Sequence, residues 1–530
     1  MVRTKDNSAL HDGTQRVKGR DALSSNIEAA RAVAELIRTT LGPMGMDKML
    51  IDSYGTTTIT NDGATILREM DVEHPGAQIL VDIAKTQERE VGDGTTSVVL
   101  LAAELLYEAQ QLMEKGFHQN SIVHSYKKAL GKALQELDVY SSELQSQDKE
   151  ALSELLKTTL SGKSSEFALD TLIPLLLSLL SERNGKKVLL RDHISLAKEV
   201  GKDCSESCVF EGISLNREPI HPQMPTKLEQ AKVLLIDSAL EAPEPEGDTK
   251  LSLETAQDFE EYLERERKYI EDMCTKLSEL GVTFVVCQKG IDDRLAALFA
   301  QRGMLALRRV KRSDLEKLAL CSSARIISDL HYLKKEDLGE LSSLSFEKDS
   351  EFSQVKVLAP KGNVKTLLLR ASSHFQLDEL ERAIDDALGT LQTILSCPKL
   401  LPGGGSVELH LHRVLLDFAS SLPVREQLVI EAFARTLLTI PRSLCQNCGH
   451  EELEVMTKLV SEHQKNKNSY AGVHASKGWT QDLLAEGVLE TYLMKKQAYL
   501  SAVECSVTLL RIDDIIAARK IEQREKFDLD

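Results

Sequence analysis

Apolar residues in the first 150 positions recur at helical spacing. Ile27, Ala30, Val33, Ala34 and Ile37 fall on one face of a helix predicted over 22–40. Leu41-Gly42-Pro43-Met44-Gly45 stops it with a turn. Thr57 to Thr60 is short and β-branched, which predicts a hairpin-like strand ending in the turn Asn61-Asp62-Gly63. Gly92-Asp93-Gly94-Thr95-Thr96 then opens a helix whose body is Val98 to Ala103, and helices continue to about Tyr140.

The middle of the chain changes period. Val233 to Ile236, Thr283 to Cys287, Leu305 to Leu307 and Ala324 to Ile327 are short apolar runs between helical or polar segments. That alternation predicts an α/β unit with a largely parallel sheet. A long helix holds Phe259, Tyr262, Ile270, Met273, Leu277 and Leu280 on one face. Periodicity alone fits an amphipathic surface helix or a lid element. From Asp378 the pattern is helical again, broken at Gly403-Gly404-Gly405, with a last helix predicted over Leu509 to Ala518. The simplest architecture is a helical domain built from both chain ends, carrying an inserted α/β middle.

Composition narrows the function classes. A chain of 530 residues is long enough for about three domains. Its net charge of −17 argues against non-specific nucleic-acid binding, which needs a basic surface. No apolar run is long enough to span a membrane. Met1 to Arg20 has no apolar core of a secretory signal. Nine scattered cysteines, an odd number, make a disulfide framework unlikely and point to a reducing, cytoplasmic setting.

Gly92-Asp93-Gly94-Thr95-Thr96-Ser97 is the strongest local signal. Glycines admit close backbone approach, hydroxyls add donors, and a helix start favours an anion. Asp93 is a hard oxygen ligand suited to Mg²⁺. The segment by itself serves equally as a phosphate cradle or as a capped helix start. A P-loop is absent, because Gly162-Lys163-Ser164 is preceded by Lys157 where that motif has glycine. Cys445-x-x-Cys448-x-His450 and Cys204-x-x-x-Cys208 are weak zinc patterns without a matched second pair. His410 and His412 read as helix residues rather than a ligand set.

Three segments in order resemble group II chaperonins, the family of the archaeal thermosome and the eukaryotic cytosolic chaperonin. They are Leu41-Gly42-Pro43-Met44-Gly45-Met46-Asp47-Lys48-Met49-Leu50, Thr60-Asn61-Asp62-Gly63-Ala64-Thr65-Ile66-Leu67 and Glu90-Val91-Gly92-Asp93-Gly94-Thr95-Thr96-Ser97. The resemblance continues through Cys287-Gln288-Lys289-Gly290-Ile291-Asp292-Asp293 and Arg309 to Asp314. It ends in Leu510-Arg511-Ile512-Asp513-Asp514-Ile515-Ile516. It looks closer to thermosome subunits than to any one eukaryotic subunit.

The resemblance implies a multidomain α and α/β chaperonin fold. A helical equatorial ATPase domain would span 1–143 and 403–530, and a hinge-like intermediate domain 144–213 and 364–402. An apical α/β domain would span 214–363, with a helical lid protrusion at about 241–280. It implies an ATPase whose double ring captures non-native polypeptide and encloses it when the lid closes, with other chaperonin subunits as ring partners. Neither nucleic acid nor membrane is implied. ATP and Mg²⁺ would be the cofactors. Leu41, Gly42 and Pro43 match the loop beside the nucleotide, Gly94, Thr95, Thr96 and Ser97 the phosphate cradle, Lys163 a loop that senses the nucleotide, and Asp93 the Mg²⁺ ligand. Gly404, Gly405, Glu490 and Lys495 match the nucleoside side. Asp62 and Asp386 match the catalytic carboxylates.

Several positions depart from the family pattern. Ala371-Ser372-Ser373 follows Arg370 where a Gly-Gly pair is usual, Thr491 follows Glu490 in place of proline, and His474 replaces an acidic residue or Asn. Asn-Ala-Gly is replaced by Gln446-Asn447-Cys448-Gly449. These departures motivate an alternative, a structural or regulatory ring subunit with weak or no ATP hydrolysis. The intact Asp62, Asp93 and Asp386 argue against it.

Overall fold

The computed structural model describes residues 15–52, 55–70, 72–144, 148–163, 168–183, 186–201, 203–242, 256–348, 353–359, 363–467 and 469–517. The chain divides into two compact units. One comprises Met1–Leu169, Asn184–Lys187 and Arg382–Asp530, and the other Asp170–Arg183 and Val188–Glu381. The expected helical body from both ends, with an inserted middle, is therefore present.

The terminal unit is built around two helices that are buried on nearly every side. Thr95–Glu114 buries Val98 through Ala103 without interruption, and Tyr492–Leu510 buries Ala498, Ala502, Val503, Ser506 and Leu510. A helix apolar all round belongs at the centre of a bundle. Ser506 Oγ, 3.1 Å from the Ala102 carbonyl, satisfies its one polar group where the two helices meet. Amphipathic helices Arg20–Arg38 and Pro75–Val91 lay their apolar stripes on this pair, and Gln119–Tyr140 and Val424–Leu437 also join the core.

The last segment corrects the reading of the sequence. The helix stops at Leu510, and Asp514–Ala517 is a strand paired antiparallel with Gln15–Lys18. Leu509, Leu510, Ile512, Ile515 and Ile516 fit either period, and the partner that decides between them lies almost 500 residues away. The hairpin at Thr57–Thr60 is as expected, paired with Lys48–Ile51.

The middle unit carries a nine-stranded mixed sheet. The four apolar runs, Leu305–Leu307, Phe284–Cys287, the end of Lys227–Ile236, and Ile326–Ile327, make one parallel part, and Lys365–Ala371 with Ile194–Val200 makes a second at the other edge. Gly339–Lys348, Ser353–Leu358 and Cys208–Leu215 extend the sheet antiparallel, so it is less parallel than expected. Lys227–Ile236 shows why. Its last four residues are all buried, as in a parallel core, while its first half alternates with exposed positions. The long helix runs Ala256–Glu279. Ile270, Met273, Cys274 and Leu277 bury its C-terminal half, while Glu260, Glu261, Tyr262, Glu264 and Arg265 are exposed. Residues 243–255 of the expected protrusion lie outside the described residues.

His410 and His412, on the helix Ser406–Ser420, are both buried. The His410 ring stacks on Tyr140 with centroids 4.0 Å apart, and His412 Nδ1 is 2.9 Å from the Ala434 carbonyl. Burial, helped by Arg413 and His463, lowers His410 to about 4. A histidine that titrates near 6.5 when unfolded and near 4 when folded binds its proton more tightly in the unfolded chain. Stability is then full above about 6.5 and falls as pH drops toward 4, by about 2–3 kcal/mol. His410→Phe keeps the stack and should flatten that acid limb in urea unfolding followed from pH 7 to 4.

Candidate functional site

The terminal unit contains a cleft of ≈ 420 Å³ whose walls come from distant parts of the chain. Of the residues expected at a nucleotide site, Leu41, Gly42, Pro43, Asp62, Asp93, Gly94, Thr95, Thr96, Ser97, Lys163, Asp386, Gly404, Glu490 and Lys495 all line it. Gly405 does not. It caps the helix Ser406–Ser420 from a left-handed conformation and packs against Pro441.

Close backbone contacts build one end. Gly94 takes φ +79° ahead of Thr95–Glu114 and supplies no side-chain cap. The first amides of that helix are therefore not used by a side-chain cap and remain available to an anion. A Cβ on Gly94 would lie 2.8 Å from Met494 Sδ. Gly92 meets Gly389 on the helix His374–Ser396, where a Cβ on either would come within 2.8 Å of the other's Cα. This approach lets the helix carry Asp386 to the turn that carries Asp93. Asn61 Nδ2 donates to the Gly162 carbonyl, tying the Lys163 loop to the Asp62 loop. Asn447 Nδ2 donates to the Arg38 and Leu41 carbonyls at 3.0 and 2.8 Å, fixing the Leu41 loop.

Asp62 caps the helix Gly63–Glu69, its two oxygens accepting from Ala64 and Thr65 amides at 3.3 and 2.9 Å. Lys163 Nζ forms an ion pair with Asp386. Burial pushes Asp386 up to about 7, against the pull of Lys163, and the Asp62 and Asp93 charges add to the rise. Burial alone would depress Lys163, but Asp386, Asp93 and Asp62 together raise it, so it stays charged. With every carboxylate ionised, three negative charges face one ammonium.

That imbalance fits Mg²⁺ with a nucleotide. A divalent cation offsets the excess charge, without which phosphate would be repelled. Among the described residues no group of three His, Cys, Asp or Glu side chains could hold a metal by itself. Mg²⁺ needs no such cage, because it commonly takes one carboxylate, phosphate oxygens and water. Asp93 Oδ1 accepts from the Gly94 amide at 2.6 Å, which leaves Oδ2 as the oxygen a metal would take. Gly94, Gly63 and Gly404 each sit where a Cβ would crowd the wall or its support, so the cleft depends on their bare backbone.

The opposite end rests on buried charge. Lys495 Nζ lies 2.8 Å from Glu408 and 2.7 Å from Glu490, and Tyr499 donates to Glu408 at 2.8 Å. Burial lifts Glu490 to about 7, opposed by Lys495. Lys495 therefore holds Glu490 in place. Glu408 was not expected from sequence, although a carboxylate in the wholly buried run Ser406 to His412 needs a cation. His474 also lines the cleft. Its Nδ1 accepts from the Ser476 and Lys477 amides at 3.3 Å, so Nε2 carries the proton toward Glu486 at 3.0 Å. Lys477 and Thr480 bind the same carboxylate and hold it below the usual range.

Among the described residues the cysteine motifs form no group of three metal-ligating side chains. Cys445 is buried, its thiol pushed up to about 11 by burial, and His450 Nε2 is 2.6 Å from the Ala475 carbonyl.

The TCP-1/cpn60 chaperonin family matches residues 33–520. The chain belongs to that family. The thermosome subunit of Methanopyrus kandleri is 41% identical over 519 residues, 97% of this chain and 95% of that protein. Thermosome subunit beta of Archaeoglobus fulgidus is 41% identical over 521 residues, with the same coverage of both. The thermosome subunit of Methanocaldococcus jannaschii is 41% identical over 522 residues, 98% of this chain and 96% of that protein. The chaperonin reading, an ATP-dependent protein-folding subunit, stands with this full-length likeness, and a mainly structural subunit is not favoured.

Lys495→Met should cost about 3–5 kcal/mol by leaving Glu408 as a buried uncompensated charge. Adding Glu408→Gln should recover part of that loss. Urea unfolding midpoints of the three proteins check both statements.

Proposed function

We propose that this chaperonin chain binds MgATP in the terminal-unit cleft and hydrolyses it there, driving enclosure of non-native polypeptide within a double ring. The observation that carries the reading is the meeting of Asp93, the Thr95 helix start, Lys163 and Asp386 in one cleft. In this reading the amides and hydroxyls of Thr95, Thr96 and Ser97 hold phosphate oxygens, and Asp93 holds the metal. Mg²⁺, when bound, neutralises phosphate charge and orients the transferred group. Asp386 orients the attacking water and accepts its proton, a role suited to a carboxylate raised toward 7. Lys163 balances Asp386 before nucleotide arrives. Asp62, fixed by two amides, presents a second carboxylate from another loop.

The same reading makes residues 1–143 and 403–530 the equatorial domain and assigns Asp386 to an intermediate domain over 144–213 and 364–402. Residues 214–363 of the α/β middle become the apical domain, the long helix forming part of the lid. The relatives named thermosome subunit alpha and subunit beta, both of Archaeoglobus fulgidus, favour an assembly of several subunits. Among the described residues no helix is long and apolar enough to cross a membrane, in keeping with a cytoplasmic particle.

Asp386→Ala should lower ATP turnover by about a hundredfold or more while nucleotide still binds. Steady-state hydrolysis with parallel equilibrium binding tests this, and near-normal turnover overturns the assignment. Electron micrographs with and without ATP should show double rings that close.

A further inference from the structure

The helix Pro75–Val91 carries a core stripe of Ala77, Leu80, Ala84, Gln87 and Val91, spaced alternately by three and four. All five are buried, and Gln87 is 0% exposed. An amide among methyl groups is costly unless its polar atoms are used. Gln87 Nε2 lies 3.0 Å from the Asp93 carbonyl and 3.3 Å from the Met494 carbonyl. Two carbonyl oxygens fix the orientation of the amide, because only its NH₂ can face them. Oε1 is consequently turned away, buried and without a hydrogen-bond partner. A side chain held with one polar atom unsatisfied is a poor choice for core stability. Methionine would fill the same space without that penalty.

The two carbonyls belong to two different segments of the cleft wall, the Asp93 turn and the helix that carries Lys495. Met494 precedes Lys495, the residue that holds Glu490. Asp93 is the metal-side carboxylate, and its carbonyl shares one peptide plane with the Gly94 amide. That amide donates to Asp93 Oδ1 at 2.6 Å. The plane is thus pinned from both sides, by Gln87 at its oxygen and by the Asp93 carboxylate at its N–H. If the Gln87 contact is lost, the plane can rotate and carry the carboxylate with it. Gly94 packs in the same place: at φ +79° a Cβ there would lie 2.8 Å from Met494 Sδ and 3.2 Å from Gln87 Nε2.

We propose that Gln87 is a positioning residue for the cleft: it aims the Asp93 carboxylate and locks the Asp93 turn in register with the helix Tyr492–Leu510. This rests on the reading of the cleft as a Mg²⁺–nucleotide site. Its action should be felt in metal-dependent affinity rather than in nucleotide affinity as such.

The test uses the assembled full-length protein and a fluorescent ADP analogue, titrated with Mg²⁺ present and with EDTA. The ratio of the two affinities is the Mg²⁺ gain. Gln87→Met should cut that gain about tenfold, the usual loss when an outer-shell partner is removed, and leave the EDTA affinity within about threefold. Asp93→Ala should abolish the gain. A full gain in Gln87→Met beside a lost gain in Asp93→Ala overturns the positioning role and spares the site. Equal weakening of both affinities also overturns it, as the mark of a merely structural residue. A full gain in Asp93→Ala overturns the site reading and this proposal with it. If the methionine variant does not assemble, Gln87→Glu keeps the shape and sets a carboxylate against the two carbonyls. The same losses are expected from it, and their absence overturns the proposal.

Discussion

Around Lys163 the cleft gathers more negative charge than that one ammonium can balance. Asp62, Asp93 and Asp386 face Lys163 in a site largely withdrawn from water, where each uncompensated charge costs far more than at the surface. The protein answers in two ways. It raises Asp386 toward neutrality, and it leaves the remaining deficit to be met by a ligand bringing positive charge and hydrogen-bond acceptors together. A metal-bound phosphate is such a ligand. Under the proposed reading the resting site is incomplete, and the ion pair with Lys163 occupies the carboxylate that would orient the attacking water. Binding and chemistry would then be linked through that shared lysine partner.

Charge alone would not bring the carboxylates together. Asp93 and Asp386 come from segments nearly 300 residues apart, and they meet because Gly92 and Gly389 leave no side chain between turn and helix. Thr393 Oγ1 reinforces the contact by reaching the Val91 carbonyl at 3.3 Å. Only one half of this arrangement was legible in the sequence. Gly92 stands inside a glycine-rich turn that signals itself. Gly389 sits alone in a helix, where its sequence neighbours say nothing about what it touches.

The same division runs through the fold. Helices with a clean apolar period, and short strands made of continuous apolar residues, could be read locally, because burial is periodic in each element. The strand Asp514–Ala517 could not, because its identity depends on Gln15–Lys18 at the other end of the chain. The antiparallel half of the middle sheet was hidden for a related reason. Its strands are polar on one face and resemble loops until pairing is known. Gln87 and Glu408 were legible in principle. Each is a polar residue in a run that is otherwise core, and such a residue calls for a partner that sequence cannot name.

The two ends of the cleft differ in how much change they can absorb, and the departures from the family pattern follow that difference. The end read as the phosphate side rests on close backbone contacts. At Gly94 and Gly92 an added methyl group would have to displace Met494 or another glycine's Cα, so substitution there moves helices. At the end read as the nucleoside side, Gly404 apart, the departures fall among side-chain pairs. His474 departs from the pattern of the resemblance, yet Glu486 accepts its Nε2–H, and Lys477 and Thr480 hold that carboxylate below the usual range. Cys448 lies in an altered segment, yet Asn447 beside it still secures the Leu41 loop. A side-chain network can be rebuilt around a substitution if its charges and donors still balance. A backbone contact has no such freedom. Divergence confined to the first kind of wall leaves the backbone contacts at Gly92 and Gly94 untouched, which is why altered residues at the other end are weak grounds for inferring an inactive subunit.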